Sequence, residues 1–232
     1  MTIIISELGH NHQGSIDLAF ELIEKAKEAD SDIAKFQLYD TAKIVAPDHK
    51  WYWDLERGQV TKEQWLMIVE KCNQVGIEFM ASVFDVERVG WCEEVGMKRY
   101  KIASRSIYET DLLEAVGRTG KDVIISLGKV KDNKIPRINN GARVDYLYCI
   151  AQYPAPLSTL KLSQVDFIKY AGFSDHPLGI EAAIVAISRG ARIIEKHLTL
   201  DKTMDGCDHA GSAEPKELKA LVDFARKYEE IR

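Results

Sequence analysis

The chain of 232 residues has no excess of positive charge, its formal net charge being −5, and this argues against a general nucleic-acid surface. It has no apolar run of transmembrane length. Its opening, "MTIIISELGH", lacks both a basic leader and an h-region long enough for secretion. Cysteine is scarce: Cys72, Cys92, Cys149 and Cys207 are widely spaced with no C-x-x-C, which excludes a disulfide framework or a cysteine zinc site and implies reduced thiols in a cytoplasmic protein. There is no internal repeat, no low-complexity stretch, no dinucleotide glycine fingerprint and no P-loop.

What is present is a rhythm. Short, almost continuously apolar runs at Ile3–Leu8, Ile33–Leu38, Glu78–Phe84, Arg99–Ala103, Val123–Ser126, Val144–Cys149, Gly172–Ser174 and Arg192–His197 read as strands buried on both faces. Helical segments alternate with them. Ser15 caps a helix to Ala29 with Leu18, Leu22, Ile23 and Ala26 on one face. Thr61 opens a helix that Gly76 ends, Asp85 caps a short helix ending near Gly96, and Thr110–Thr119 forms another. Further helices are expected over Leu160–Ile168, Gly179–Arg189 and Glu214–Glu230. Trp51–Val60 reads as irregular. The stretch after strand five, with Pro136, Asn139, Asn140 and Gly141, lacks an apolar stripe and reads as a loop or a stub of helix. Eight such units across residues 1–232 predict a single-domain (β/α)8 TIM barrel with a reduced fifth helix; a doubly wound open sheet is the rival.

In a barrel of this kind chemistry collects at the carboxyl ends of the strands. Those ends carry Glu7, Lys35, Gln37, Ser82, Lys101, Ser104, Ser126, Ser174, His176, Glu195 and His197. Strand side chains alternate, so Lys35 and Gln37 share a face, as do Ser174 and His176, and Glu195 and His197. An inward Glu195 needs a partner, which Lys35 or Lys101 can supply. Two imidazoles ending adjacent strands, with Asp175 and Asp208 nearby, make half of a divalent-metal site. Single strand-end histidines are more often hydrogen-bonded core residues. Two lysines among serines suit a phosphate or a carboxylate, because lysine is rarely buried without an anion. Glu7 has the chemistry of a general acid or base. His10 and His12 read as members of a polar loop.

Taken together, "SELGHNHQGS", "AKFQLYD", "YKIAS", "VIISLGK", "QYPAP" and "FSDHPLGIEAAIVAISRGARIIEKHLTLDKTMDGCDHAGSAEPKELKALV" resemble the sialic acid synthase (N-acetylneuraminate synthase) family over residues 3 to about 223. The resemblance implies a metal-dependent barrel enzyme that condenses phosphoenolpyruvate with an N-acyl-hexosamine or related aldose, giving a sialic-acid-like nonulosonate and releasing phosphate. It implies His176 and His197 as metal ligands, usually for manganese, with magnesium or cobalt as alternatives. It implies Lys35, Ser82, Lys101, Ser104, Ser126 and Ser174 as the phosphoenolpyruvate pocket. Gln37 and Tyr153 face the acceptor, and Glu7 and Asp208 are the candidates for proton transfer.

Departures cluster on the acceptor side. Arg105-Ser106 stands where the family has Gly-Glu or Gly-Asp, Ala151 replaces a polar residue, and the loop after strand two is short. Arg105 is thereby placed to meet an acidic acceptor. Family members continue beyond the equivalent of Arg232 into an antifreeze-like domain that lends an arginine to a partner subunit. The expectation is therefore a homo-oligomer or a separate chain supplying that domain, with small-molecule substrates and neither nucleic acid nor membrane as partner. Two other readings stay open: a catalytically silent or acceptor-altered paralogue, and a metal-dependent aldolase or lyase on the same barrel.

Overall fold

Each short apolar run becomes a strand because its β-branched and aromatic side chains are buried on both faces, inward against the barrel axis and outward against helices. The computed structural model describes residues 1–132, 134–138 and 141–231. In chain order it contains β1 (Ile3–Glu7), α1 (Ile16–Glu28), β2 (Ile33–Leu38), α2 (Thr41–Ile44), α3 (Tyr52–Arg57), α4 (Lys62–Val75), β3 (Glu78–Val83), α5 (Val86–Glu94), β4 (Arg99–Ile102), α6 (Thr110–Arg118), β5 (Asp122–Ser126), β6 (Val144–Cys149), β7 (Gly172–Asp175), α7 (Glu181–Ser188), β8 (Ile193–His197) and α8 (Pro215–Ile231). The strands are all parallel and close in sequence order, with β8 paired to β1. This is the expected (β/α)8 barrel and not the open sheet.

Register decides which side chains meet. Glu7 stands level with Lys35 on one side and His197 on the other. Gln37, Ser82 and Lys101 are level across β2, β3 and β4, and Ser174 is level with Glu195. The alternate residues Phe36, Ile102, Ile125, Phe173 and Ile194 are buried on the helix side.

The helices follow their caps. Ser15 accepts a hydrogen bond from Leu18 N at 3.2 Å, and α1 buries Ala19, Leu22, Ile23 and Ala26. Ala19 takes the place expected of Leu18, which is half-buried. α4 opens on a capping box, with Gln64 N donating to Thr61 Oγ1 at 3.2 Å and Thr61 N to Gln64 Oε1 at 3.0 Å. It ends at Gly76, whose φ of 71° is the left-handed conformation that glycine adopts without a Cβ clash. Its buried Trp65 meets Phe79 edge-on, ring centroids 6.0 Å apart.

Three expectations need correction or completion. Trp51–Val60 is not irregular: it contains α3, and α2 precedes it, both too short to show a periodic stripe. The helix expected over Leu160–Ile168 is instead two 3-10 turns, Leu157–Thr159 and Leu162–Gln164, separated by Lys161 at φ 45°, a backbone conformation that interrupts a right-handed helix. Between β5 and β6 no helix occurs among the described residues, in line with the reduced fifth helix; Asn139 and Asn140 lie outside the described residues. All four cysteines are free thiols. Among the described residues no helix is long and apolar enough to cross a membrane.

The capping box gives a direct check on this local physics. Thr61→Ala is expected to lower the unfolding free energy by about 1 kcal/mol, seen as a lower urea midpoint at unchanged slope. A midpoint equal to the parent's would show that the box contributes nothing to α4.

Candidate active site

The carboxyl ends of the strands enclose a cavity of about 420 Å³. All thirteen residues assigned a role in the sequence analysis line it, from Glu7 on β1 to Asp208 after β8. Its floor is a buried charge network. Lys35 and Lys101 are each only 2% exposed, so they do not reach to the surface. Lys35 is ion-paired with Glu7, and its ammonium is 3.4 Å from Glu195. Lys101 is 3.5 Å from the other oxygen of Glu195. Glu195 therefore bridges both lysines, and Ser174 Oγ donates to it at 2.8 Å.

Burial alone would raise the Glu195 carboxyl's pKa, but Lys101, Lys35 and Ser174 together hold it below its ordinary value. Burial brings Lys35 down to about 8, with Lys101 pushing the same way and Glu195 opposing. Two ammoniums and two carboxylates so close in a buried floor are mutually dependent, since any one left alone is a buried unpaired charge.

The serines differ in what they have left to give. Lys35 donates to Ser82 Oγ and Lys101 to Ser126 Oγ, both at 2.8 Å. These two hydroxyls thus accept from lysine and keep their own protons for a ligand. Ser104 donates to Ser126 O at 3.1 Å and accepts from Gly128 N at 3.0 Å, while the Ser174 hydroxyl is already donating to Glu195. Ser104 and Ser174 brace the wall; Ser82 and Ser126 face the cavity with donors still to give.

One wall carries the imidazoles. His176 and His197 have ring centroids 5.9 Å apart. Burial lowers the pKa of both, His197 to about 4, so both are neutral at neutral pH. Nδ1 of His176 is 2.8 Å from Ile150 O, an acceptor only, so that nitrogen carries the proton and Nε2 keeps a lone pair. Nε2 is 3.3 Å from Ser174 Oγ. His197 Nδ1 is 3.5 Å from Asp208 Oδ2 and has no hydrogen-bond partner among the described residues. A neutral imidazole oriented through its other nitrogen is the form that binds a divalent metal. Among the described residues no three His, Cys, Asp or Glu side chains converge as a ligand set; this wall presents two imidazoles. Asp175 is not part of this wall. It points to the helix side, 3.3 Å from Lys196, and both are fully buried.

The mouth is less polar. Tyr153 lies over His176 with centroids 4.1 Å apart and remains 53% exposed. Arg105 donates to Ile44 O at 2.6 Å and holds its guanidinium 6.0 Å from the Phe84 ring. Trp51, Leu55 and Phe84 add apolar surface. Ser106, at the position that the resemblance gives to a carboxylate, does not line the cavity; it is buried and donates to Glu109 at 3.0 Å.

The polar loop expected after β1 is present, and it turns its histidines inward. His12 is buried, 3% exposed, with Nδ1 accepting from Gly14 N at 3.1 Å. His10 lines the cavity. Asn11 ties this loop to the one after β8, donating to Leu198 O and Ser212 Oγ, both at 2.8 Å. Loop residues past a strand's last pair escape period-two reasoning, so no sequence signal distinguished His10 from its neighbours.

Burial, with His10 adding to it, brings His12 from 6.5 to about 4. As pH falls, the unfolded chain takes up this proton near 6.5 and the folded chain only near 4, so stability is withdrawn across that window. His12→Asn keeps an acceptor for Gly14 N and is expected to flatten the fall in urea midpoint between pH 6.5 and 4. An unchanged slope would show that His12 does not change its protonation on unfolding.

Known proteins resemble this chain in sequence and fold. A family model described as the NeuB family matches residues 22–232. The chain is 36% identical to an uncharacterized protein of Methanocaldococcus jannaschii, over 99% of this chain and 72% of that protein. It is 33% identical to the N,N'-diacetyllegionaminic acid synthase of Campylobacter jejuni, over 97% of this chain and 76% of that enzyme. Among solved structures, the N-acetylneuraminic acid (sialic acid) synthetase of Leptospira borgpetersenii, determined with citrate, superposes with a TM-score of 0.94 at 33% identity, covering 99% of this chain and 84% of that one.

Proposed function

The chain belongs to the NeuB family, and from that premise we propose that it is a phosphoenolpyruvate-dependent synthase. It joins phosphoenolpyruvate to an N-acyl-hexosamine or related aldose, forms a nonulosonate and releases phosphate. The observation that carries this reading is the pair of buried lysines, bridged by Glu195, on the floor of a cavity whose wall holds two neutral imidazoles. A three-carbon donor with a phosphate and a carboxylate needs two separate cationic contacts. Lys35 with Ser82 and Lys101 with Ser126 are two such cation–hydroxyl pairs.

The chain's own groups have distinct tasks. The floor orients the donor so that its C3 faces an aldehyde carbon held near the imidazole wall, which converts a bimolecular encounter into a positioned one. C3 forms the new carbon–carbon bond to that carbon as its oxygen takes a proton. Water adds at the donor's C2, and the C2–O bond to phosphate breaks as phosphate leaves. Asp208, beside His197, and Glu7, beside Lys35, are the carboxylates within the cavity that move these protons. His176 and His197 would hold a divalent cation, manganese first with magnesium or cobalt as alternatives; when bound, it polarises the aldehyde as a Lewis acid.

The acceptor side supports a narrower or altered sugar preference. Ser106 is turned away from the cavity, and Arg105 stands at its mouth. The silent-paralogue reading is disfavoured by the floor itself, since four buried charges are a standing cost that an idle cavity does not require.

Release of inorganic phosphate from phosphoenolpyruvate, with manganese and a panel of N-acyl-hexosamines, tests the proposal. Lys101→Met is expected to lower kcat/KM for phosphoenolpyruvate at least thirtyfold, about 2 kcal/mol or more. Cleavage of a keto acid without phosphate release would instead identify a lyase. No release with any aldose, in protein that binds manganese, would identify the silent form. His176→Ala is expected to weaken manganese binding, read by electron paramagnetic resonance without turnover, by tenfold or more; equal affinity would remove His176 from the metal.

A further inference from the structure

His10 is an imidazole that none of the roles above uses. It lines the cavity on the β1 side together with Gln37, Trp51, Leu55 and Asp208. Its backbone has φ 64°, a left-handed conformation uncommon for a residue with a Cβ. Such a conformation persists where surrounding contacts enforce it and the side chain's position matters.

The contacts are specific. Tyr39 Oη is 2.8 Å from Leu55 O and 3.2 Å from His10 Nδ1. A carbonyl only accepts, so the single tyrosine proton is committed to Leu55 O. His10 Nδ1 must then be the donor to the tyrosine oxygen, and in the neutral ring Nε2 carries the lone pair. Burial favours that neutral ring. The ring lies 5.4 Å from the Tyr39 ring, and Gly58, which caps α3, packs closely beside them: a Cβ there would sit 3.3 Å from His10 Nδ1 and 3.5 Å from Tyr39 Oη. Tyr39 is itself buried and meets Phe84 edge-on. The imidazole is thus held in position and in tautomer by Tyr39, itself held by Leu55 O. Gln37 lines the cavity alongside the same ring.

We propose that His10, fixed by Tyr39, is a specificity-determining residue of the acceptor subsite, accepting a hydrogen bond at Nε2 from a hydroxyl or amide N–H of the open-chain sugar, with Gln37 as its neighbour. This rests on the synthase reading for the identity of the guest. The chemistry selects a guest that donates: a sugar hydroxyl or an N-acyl amide satisfies a bare ring nitrogen, whereas a carboxylate or phosphate oxygen, which only accepts, is repelled by its lone pair. His10 therefore favours the neutral, donor-rich part of the acceptor, while any acidic group of the acceptor is left to Arg105 at the mouth.

His10→Asn suits the left-handed backbone and retains a donor for Tyr39, but has nothing at the Nε2 position. It is expected to raise KM for the acceptor five- to tenfold while leaving KM for phosphoenolpyruvate unchanged. His10→Gln, which places an amide oxygen nearer Nε2, is expected to recover part of the loss. An acceptor analogue lacking the donating group should lose in the parent what the Asn variant loses with the full sugar, and lose nothing further in the variant. Equal changes in both KM values, or none, overturn the proposal while leaving the synthase reading intact. The tautomer has a readout that needs no turnover. In the ¹⁵N spectrum of the folded parent, His10 is expected to show a protonated Nδ1 and a bare Nε2, and Tyr39→Phe should mix the two tautomers. A protonated Nε2 in the parent overturns the proposal even if no acceptor is ever turned over; absence of phosphate release with every aldose sinks the synthase reading instead.

Discussion

The Glu195 carboxylate between Lys35 and Lys101 is the interaction on which the remainder depends. Neither lysine could stay 2% exposed without a counter-charge, and Glu195 could not stay ionised in that floor without both. Glu7 completes the balance by pairing with Lys35. The network is neutral in sum, so the floor can exist before any ligand arrives. Yet each ammonium also touches a serine whose proton is free, so an entering anion meets oriented donors and not a collapsed core. Electrostatic preorganisation of this kind, where the cost of arranging the dipoles is met in folding, is what makes a dry site effective.

The barrel supplies the precision. Parallel register sets Glu7 level with Lys35 and His197, and Ser174 level with Glu195. Period-two alternation then divides tasks between adjacent residues. Ser174 and His176 face the cavity while Asp175 between them faces outward. Glu195 and His197 do the same around Lys196. The two outward residues meet 3.3 Å apart, and Lys196 also donates to Pro177 O at 2.6 Å. A buried ion pair thus joins β7 to β8 directly behind the two imidazoles.

The barrel was legible in the sequence because apolar runs and caps carry it, and both are local signals. Thr61, Ser15, Asp85 and Gly76 act where the pattern placed them. The inward floor was legible because alternation extends to the last paired residue of each strand. Legibility failed where those signals stop. Thr41–Ile44 and Tyr52–Arg57 are single turns or little more, too short for a periodic face. Lys161 breaks the segment after β6 through a backbone angle that lysine does not advertise. His10 and His12 sit beyond β1, where the direction of a side chain is set by tertiary contacts with Tyr39, Phe36 and the loop after β8. Composition marked Asp175 as a neighbour of the histidines, but only the pleat shows that it belongs to the opposite face.

This neutral, prebuilt floor suits a small polyanion bearing both phosphate and carboxylate. Calorimetric titration of phosphoenolpyruvate into the protein, in the presence of manganese and without any sugar, measures that most directly. Saturable binding of one molecule per chain is expected, weakened as rising salt screens the ligand's charge. Heat no greater than dilution up to millimolar ligand, in protein whose fold is intact, would contradict it.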